Sequence, residues 1–403
     1  MTDISHKGRN VEDHDATFQP IDPDLCAAGR ELLAKLQRAA GHYAMFGHQE
    51  DERIRRDRAA ASDVVAATGT FPAVFGFDLG GMERHGQPDF DGRHFDDIRD
   101  WIREDHRRGG IVTLTWHSVN PLTLGGYGHN LAAGSVAAVL PGGSRNERYR
   151  GWLDALADFA GSLRDDSGRA IPVVYRPFHE HNGDWFWWCI GGRNHLEHAE
   201  VEEHDGHDGQ FGPEADATAE QFVELWRYTV TYLRDERQVH NFLYAISPDR
   251  SCIRLDPRTF ADDWLQGYPG DDYVDVFGLD DYVDIGRRDN QGACETILAG
   301  LTMSLEQLSL LADRHGKPAA MTEIGTPNAM AGVRENPWTG FLDRAADANA
   351  ATRRVLWYLT WTNSWDGDTN VYGTPLPGDV SGPDFARFSR SGYIRFLDRV
   401  TER

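Results

Sequence analysis

The sequence predicts a (β/α)₈ barrel built as one domain, and three observations predict it. Eight short apolar runs recur along the chain, helical patterns separate them, and the polar residues capable of chemistry fall just after the runs. A length of 403 residues would allow two or three domains, but α/β barrels routinely fill such a length as one.

The strands are read at 43–47, 73–77, 111–116, 173–176, 242–246, 274–278, 319–321 and 355–359. Each is short and nearly continuous in apolar residues, as expected of strands buried on both faces. Helical patterns occupy 55–68, 93–108, 147–163, 219–237, 294–315, 334–350 and 384–399. In 219–237, Phe222, Val223, Leu225, Trp226, Val230 and Leu233 form one apolar stripe that faces a sheet. After the fifth strand there is only a short candidate near 259–266. Eight strands, each followed by a helix or loop, give the barrel. An open doubly wound sheet is the alternative, but FGHQEDERI after the first strand is not the GxGxxG turn that would support a dinucleotide site. One domain then spans the chain, with the barrel at about 43–400 and an N-terminal extension at 1–25. A His- and acid-rich surface insertion at 194–216 carries His195, His198, His204 and His207.

Sixty-four acidic against 41 basic side chains leave a formal charge of −23. That field repels nucleic acid, anionic membrane and polyanionic substrates. Only Lys7, Lys35 and Lys317 among the basic residues are lysines. Such a surface suits high salt, and a GC-rich genome gives the same arginine bias. Cys26, Cys189, Cys252 and Cys294 form no CxxC motif and read as free, mostly buried thiols. The N-terminus has no apolar h-region and no stretch is long enough to span a membrane, so the chain as it stands reads as cytoplasmic, or as secreted if a leader preceded it. A monomer is expected.

Barrel chemistry sits where strands end at their C-termini. The first run ends in His48-Gln49-Glu50-Asp51, the second in Asp78, and the third in Trp116-His117 with Asn120 behind. The fourth ends in Arg176-Pro177-Phe178-His179-Glu180, followed by Asn182 and the run Trp185-Phe186-Trp187-Trp188. Ser247 and Asp249 follow the fifth, Asp280-Asp281-Tyr282 the sixth, Thr322-Glu323 the seventh, and Trp361-Thr362-Asn363 the eighth, with Trp365 behind. Two carboxyl groups ringed by Trp, Tyr and His suit glycoside hydrolysis. One acid protonates the leaving oxygen, and one carboxylate meets the oxocarbenium-like centre. Aromatic faces stack on sugar rings, and polar side chains select hydroxyl configurations. Each feature also has a plainer use: a strand-end Glu or Asp caps a helix, a Trp run packs under a loop, and a lone His is satisfied in a core.

At these residues the sequence resembles glycoside hydrolase family 26, the family of β-mannanases and their relatives. RPFHEHNGDWFWW resembles the family's acid/base segment and MTEIG its nucleophile strand. FGHQED, TWHSVNP, DVFGLDDY and WYLTWTN resemble further blocks in order, from Tyr43 to Trp365. The resemblance implies Glu180 as acid/base and Glu323 as nucleophile. It places His179 near the reaction centre, Tyr282 and Asp280 beside the nucleophile, and Arg176 holding that region. Trp185 would sit on the leaving-group side, Trp361 under the −1 sugar, and His117 toward −2. It implies retaining hydrolysis of β-1,4-mannosidic bonds in mannan, glucomannan or manno-oligosaccharides, with no cofactor and no metal, and carboxyl groups about 5–5.5 Å apart.

Family mannanases often carry Arg directly after the −1 tryptophan, where this chain has Thr362. An exo-acting mannobiohydrolase and a β-1,3-xylanase or mixed-linkage glucanase therefore stay open. So do a carbohydrate-binding barrel without activity, a metal-dependent hydrolase using His48, Glu50, Asp51 and Asp78, and metal binding by the His-rich insertion.

Overall fold

A computed structural model describes residues 17–52, 61–90, 92–124, 131–191, 216–285, 294–325, 336–363 and 372–401. The eight strands are β1 (Ala44–Gln49), β2 (Val74–Asp78), β3 (Ile111–Thr115), β4 (Val173–Arg176), β5 (Phe242–Ile246), β6 (Val276–Asp281), β7 (Ala319–Ile324) and β8 (Val355–Thr360). Every neighbouring pair is parallel, and β8 returns to β1 with Phe46 opposite Tyr358, which closes the (β/α)₈ barrel. All their residues are buried, as the uninterrupted apolar runs require. A two-residue strand, β9 (Ile394–Arg395), pairs with Ala44 and Met45 at the start of β1.

The helices are α1 (Ala27–Ala39), α2 (Asp63–Thr68), α3 (Phe95–Arg108), α4 (Ser135–Val139), α5 (Asn146–Ser162), α6 (Ala219–Thr231), α7 (Phe260–Trp264), α8 (Cys294–Arg314), α9 (Asp343–Ala346), α10 (Gly382–Ser391) and α11 (Leu397–Thr401). A capping box opens α6: Gln221 N–H donates to Thr218 Oγ1 and Thr218 N–H to Gln221 Oε1. Gly109, at φ 94°, turns the chain from α3 into β3.

Two apolar clusters divide the interior. The larger lies between strands and outer helices. The smaller fills the barrel with Met45, Val74, Ile111, Val174, Leu243 and Trp357, and joins them to Leu32, Leu33, Leu36 and Ala39 of α1. Cys26 N–H donates to His240 O and Gly41 N–H to Arg353 O, so α1 is tied to segments that enter β5 and β8 and closes the N-terminal mouth.

Several expectations shift. The helix α1 was not anticipated, although its leucines lie three and four apart. The pattern at 219–237 is α-helix to Thr231 and then a π-helical turn, Tyr232–Glu236. Within 334–350 the described residues form a π-helical turn, Trp338–Leu342, and the four-residue α9. The pattern at 384–399 breaks at Gly392, where extended backbone leads into β9. There Ile394 N–H donates to Asp343 Oδ1, and Phe396 stacks on Phe46 at 4.4 Å, contacts a continuous helix would forgo. The thiols are free, but only Cys189 and Cys252 are buried and Cys294 is exposed. The insertion at 194–216, apart from Asp216, lies outside the described residues, as does Trp365. No helix among the described residues is long and apolar enough to cross a membrane.

Candidate active site

The end of β4 builds the centre of the site. After Arg176 the chain makes a turn in which Phe178 (φ 51°) and Glu180 (φ 54°) adopt left-handed backbone, a conformation non-glycine residues hold only when their surroundings enforce it. Glu180 N–H donates to Ser247 O at 2.7 Å, which anchors the turn to β5. Asn182 and Asp249 tie the same loops together, Asp249 N–H to Asn182 Oδ1 and Asn182 Nδ2 to Asp249 O.

The aromatic run then splits by use. Trp187 Nε1 donates to Ser118 Oγ and Trp188 Nε1 to the His179 carbonyl, and both rings are buried in the core. Trp185 is only half-buried, and its Nε1 donates to Glu180 Oε2 at 2.6 Å. Its ring lies over Gly183, where a Cβ would come within 2.5 Å of the indole. Packing under a loop therefore accounts for two of the three tryptophans, and Trp185 alone touches the acidic group.

Glu323, near the end of β7, is held from both sides. Arg176, 1% exposed, donates Nη2 to Glu323 Oε1, and Nη1 to Asp280 Oδ2 at 2.6 Å and Ser247 Oγ at 3.1 Å. Tyr282 OH donates to Glu323 Oε2 at 2.9 Å. Asp280 is completed by Thr322 Oγ1 at 2.7 Å and Ser247 Oγ at 3.0 Å. Gly278 leaves the room this needs, since a Cβ there would meet Thr322 Oγ1 at 2.5 Å.

The electrostatics separate the two glutamates. Burial pushes the Glu180 carboxyl well above the usual carboxylate range, and the charges of Asp249, Glu323 and Asp280 add to it, against the opposing bond from Trp185. Among the described residues no cation bonds Glu180, whereas Arg176 binds Glu323 directly. Burial works against the Arg176 charge, yet Asp280 and Glu323 outweigh it and hold the guanidinium protonated. Burial and then Glu323 raise Tyr282, so its hydroxyl stays a donor.

On the opposite wall His117 and His179 meet, Nε2 to Nε2 at 3.0 Å. His117 Nδ1 bonds the Asp78 carboxylate, and its ring centroid is 5.9 Å from that of Trp361. All nine expected residues (Arg176, His179, Glu180, Trp185, His117, Asp280, Tyr282, Glu323 and Trp361) thus gather at one end of the barrel. Unassigned from sequence were the supports Thr115, Ser247, Thr322 and the Asn182–Asp249 clamp, whose only sequence signal was a place at a strand end.

Among the described residues, His48, Glu50, Asp51 and Asp78 form no compact ligand group. His48 lies on the opposite face of β1 from Gln49, with Nδ1 on Asp51 Oδ1 at 2.7 Å, while Asp78 serves His117. Among the described residues one acidic group is compact enough for a cation: Glu180, Asp280 and Glu323 have oxygens within 4.8 Å of one another. The cation bonded to two of its members is Arg176.

Comparison with known proteins agrees with the fold. The profile of Glycosyl hydrolase family 26 matches residues 21–348. A mannan endo-1,4-beta-mannosidase of Bifidobacterium adolescentis is 32% identical over 92% of this chain, and the match spans 34% of that protein, so the chain covers about a third of its length. The catalytic domain of a Bacillus sp. JAMB-750 endo-beta-1,4-mannanase superposes with a TM-score of 0.78 at 32% identity, covering 95% of this chain and 94% of that one. A Bacteroides ovatus beta-mannanase superposes with a TM-score of 0.75 at 32% identity, covering 92% and 95%.

Proposed function

The chain belongs to glycosyl hydrolase family 26, and from that premise we propose that it is a retaining β-mannanase cleaving β-1,4-mannosidic bonds in mannan or glucomannan. The observation that carries the reading is the pairing of two carboxyl groups, with oxygens within 4.8 Å, in opposite environments. An inverting pair leaves room for water at about 6.5–9.5 Å, whereas a retaining pair stands at about 5–5.5 Å.

Glu323, oriented by hydrogen bonds from Arg176 and Tyr282, attacks the anomeric carbon and forms a glycosyl-enzyme. Glu180, protonated because of its burial and acidic neighbours, gives its proton to the departing oxygen. The Glu180 carboxylate then takes a proton from water, which releases the sugar with its β configuration. Trp361 forms the floor beneath the −1 sugar, His117 borders the −2 side, and Trp185 serves the leaving-group side while orienting Glu180. A neutral polymer also suits a chain of charge −23.

The enzyme acts as a monomer, which light scattering on the purified protein checks. The test of function is time-resolved proton NMR of mannan digestion beside glucomannan, β-1,3-xylan and mixed-linkage glucan. First-formed β-anomers from mannan support the reading. First-formed α-anomers overturn the mechanism, and release from xylan or glucan alone overturns the substrate.

A further inference from the structure

Asp78 ends β2 and has no part in the two-glutamate chemistry, yet its carboxylate is engaged on both oxygens. Oδ1 accepts Gly80 N–H at 2.5 Å and faces His117 N–H at 3.5 Å, and Oδ2 bonds His117 Nδ1. An ionised carboxylate only accepts, so the proton of that last bond sits on Nδ1. With Nδ1 protonated, the neutral ring carries its lone pair at Nε2.

Nε2 of His117 faces Nε2 of His179 at 3.0 Å, a distance at which one nitrogen must donate and the other accept. His179 is therefore the donor, with a bare Nδ1 that Thr115 Oγ1 meets at 3.2 Å, the same hydroxyl standing 3.4 Å from the Arg176 carbonyl. Burial, and then the neighbouring His117 and Arg176, hold His179 well below the ordinary imidazole range, in keeping with a neutral ring.

We propose that Asp78 is a positioning residue that sets the proton order along Asp78, His117, His179 and Thr115, and so fixes which ring of the pocket wall donates and which accepts. The bond from His179 to His117 uses that N–H and that lone pair, so the proton order holds the two rings against each other and sets the shape of the wall that a sugar meets. The same logic makes a buried Asp fix a histidine tautomer in other active sites. The consequence for catalysis rests on the mannanase reading, whereas the proton order does not.

Asp78→Asn separates these levels. Its Oδ1 keeps the Gly80 and His117 backbone donors, so its NH₂ must face His117 Nδ1 and drive the proton to Nε2. His179 must then accept at Nε2 and move its own proton to Nδ1. Histidine ¹⁵N spectra at about pH 8.5, two units above the ordinary imidazole value, read this directly, with His117→Asn and His179→Asn used for assignment. Wild type should show His117 protonated at Nδ1 and His179 at Nε2, both reversed in Asp78→Asn. Its kcat/KM on mannan should fall about tenfold, the loss that goes with one weakened hydrogen bond in the wall that positions the sugar.

Thr115→Val should leave the His117 signals as in wild type, and the wild-type spectrum alone decides the order if a variant does not fold. A bare Nδ1 on His117 in wild type, a His179 protonated at Nδ1, or rings unmoved in Asp78→Asn overturn the proton order. Reversed rings with unchanged kcat/KM overturn the positioning role. Wild type inactive on every β-glycan overturns the functional reading while the spectrum still decides the order.

Discussion

The two ends of the barrel are made by the same eight strands and follow opposite rules. Toward the N-terminal mouth, the interior is Met45, Val74, Ile111, Val174, Leu243 and Trp357, closed by the leucines of α1. A few residues along, the inward positions become Asp78, Thr115, Arg176, Ser247 and Asp280, in hydrogen bonds with one another or with the histidines. The apolar end is stabilised by removal of surface from water, which is non-directional and tolerates approximate shape. The polar end is held by directional contacts among buried charges, where each partner removed strands another. Stability resides in one end and the proposed reactivity in the other, and substitutions should separate them.

The largest expected effect lies at the polar end. Glu323→Ala should lower kcat on mannan by at least about 10⁴-fold, and Glu180→Ala by about 10²–10⁴-fold. Glycosides with good leaving groups should retain a faster first step in Glu180→Ala, seen as a burst in stopped-flow assays. Retention of parental activity on mannan by either variant would sink the assignment.

Arg176→Met comes next and should damage both properties. It leaves Asp280 and Glu323 buried without their cation, at a cost of about 3–5 kcal/mol in urea denaturation. Leu36→Ala is its counterpart at the closed mouth. It should cost about 2–5 kcal/mol by the same assay with kcat within about twofold of the parent. A large kcat loss in Leu36→Ala would mean that the two ends are not independent.

The smallest effect is a shift of pH profile. The Asp249 charge is, after burial, the largest influence raising Glu180. Asp249→Asn removes it, so Glu180 loses its proton at lower pH. The basic limb of kcat/KM should move to lower pH, and a limb that stays or moves upward contradicts the assignment of Glu180 as the acid.

Much of this was readable along the chain. Strands buried on both faces are nearly continuous apolar runs, and 173–176 and 242–246 coincide with β4 and β5. Strand-end placement and the RPFHEHNGDWFWW and MTEIG segments found the glutamates and the residues around them. Prediction failed where an element is too short for periodicity to register, or where a distant contact overrides it. Phe46 and Asp343 break the pattern at 384–399, and the plugging role of α1 depends on apolar residues of all eight strands.

The linear pattern of apolar and polar residues therefore fixed the barrel, its reactive end and the residue types gathered there, because burial and periodicity are properties of neighbouring positions. It was silent on how those residues are paired. The family resemblance, not the pattern, implied Trp185 beside Glu180 and Arg176 beside Glu323; that Trp188 serves the core and that Asp78 reaches His179 through His117 are contacts found in the folded chain. Hydrogen bonds act over about 3 Å in defined directions, so only the closed barrel, which brings the strand ends into register, could select them.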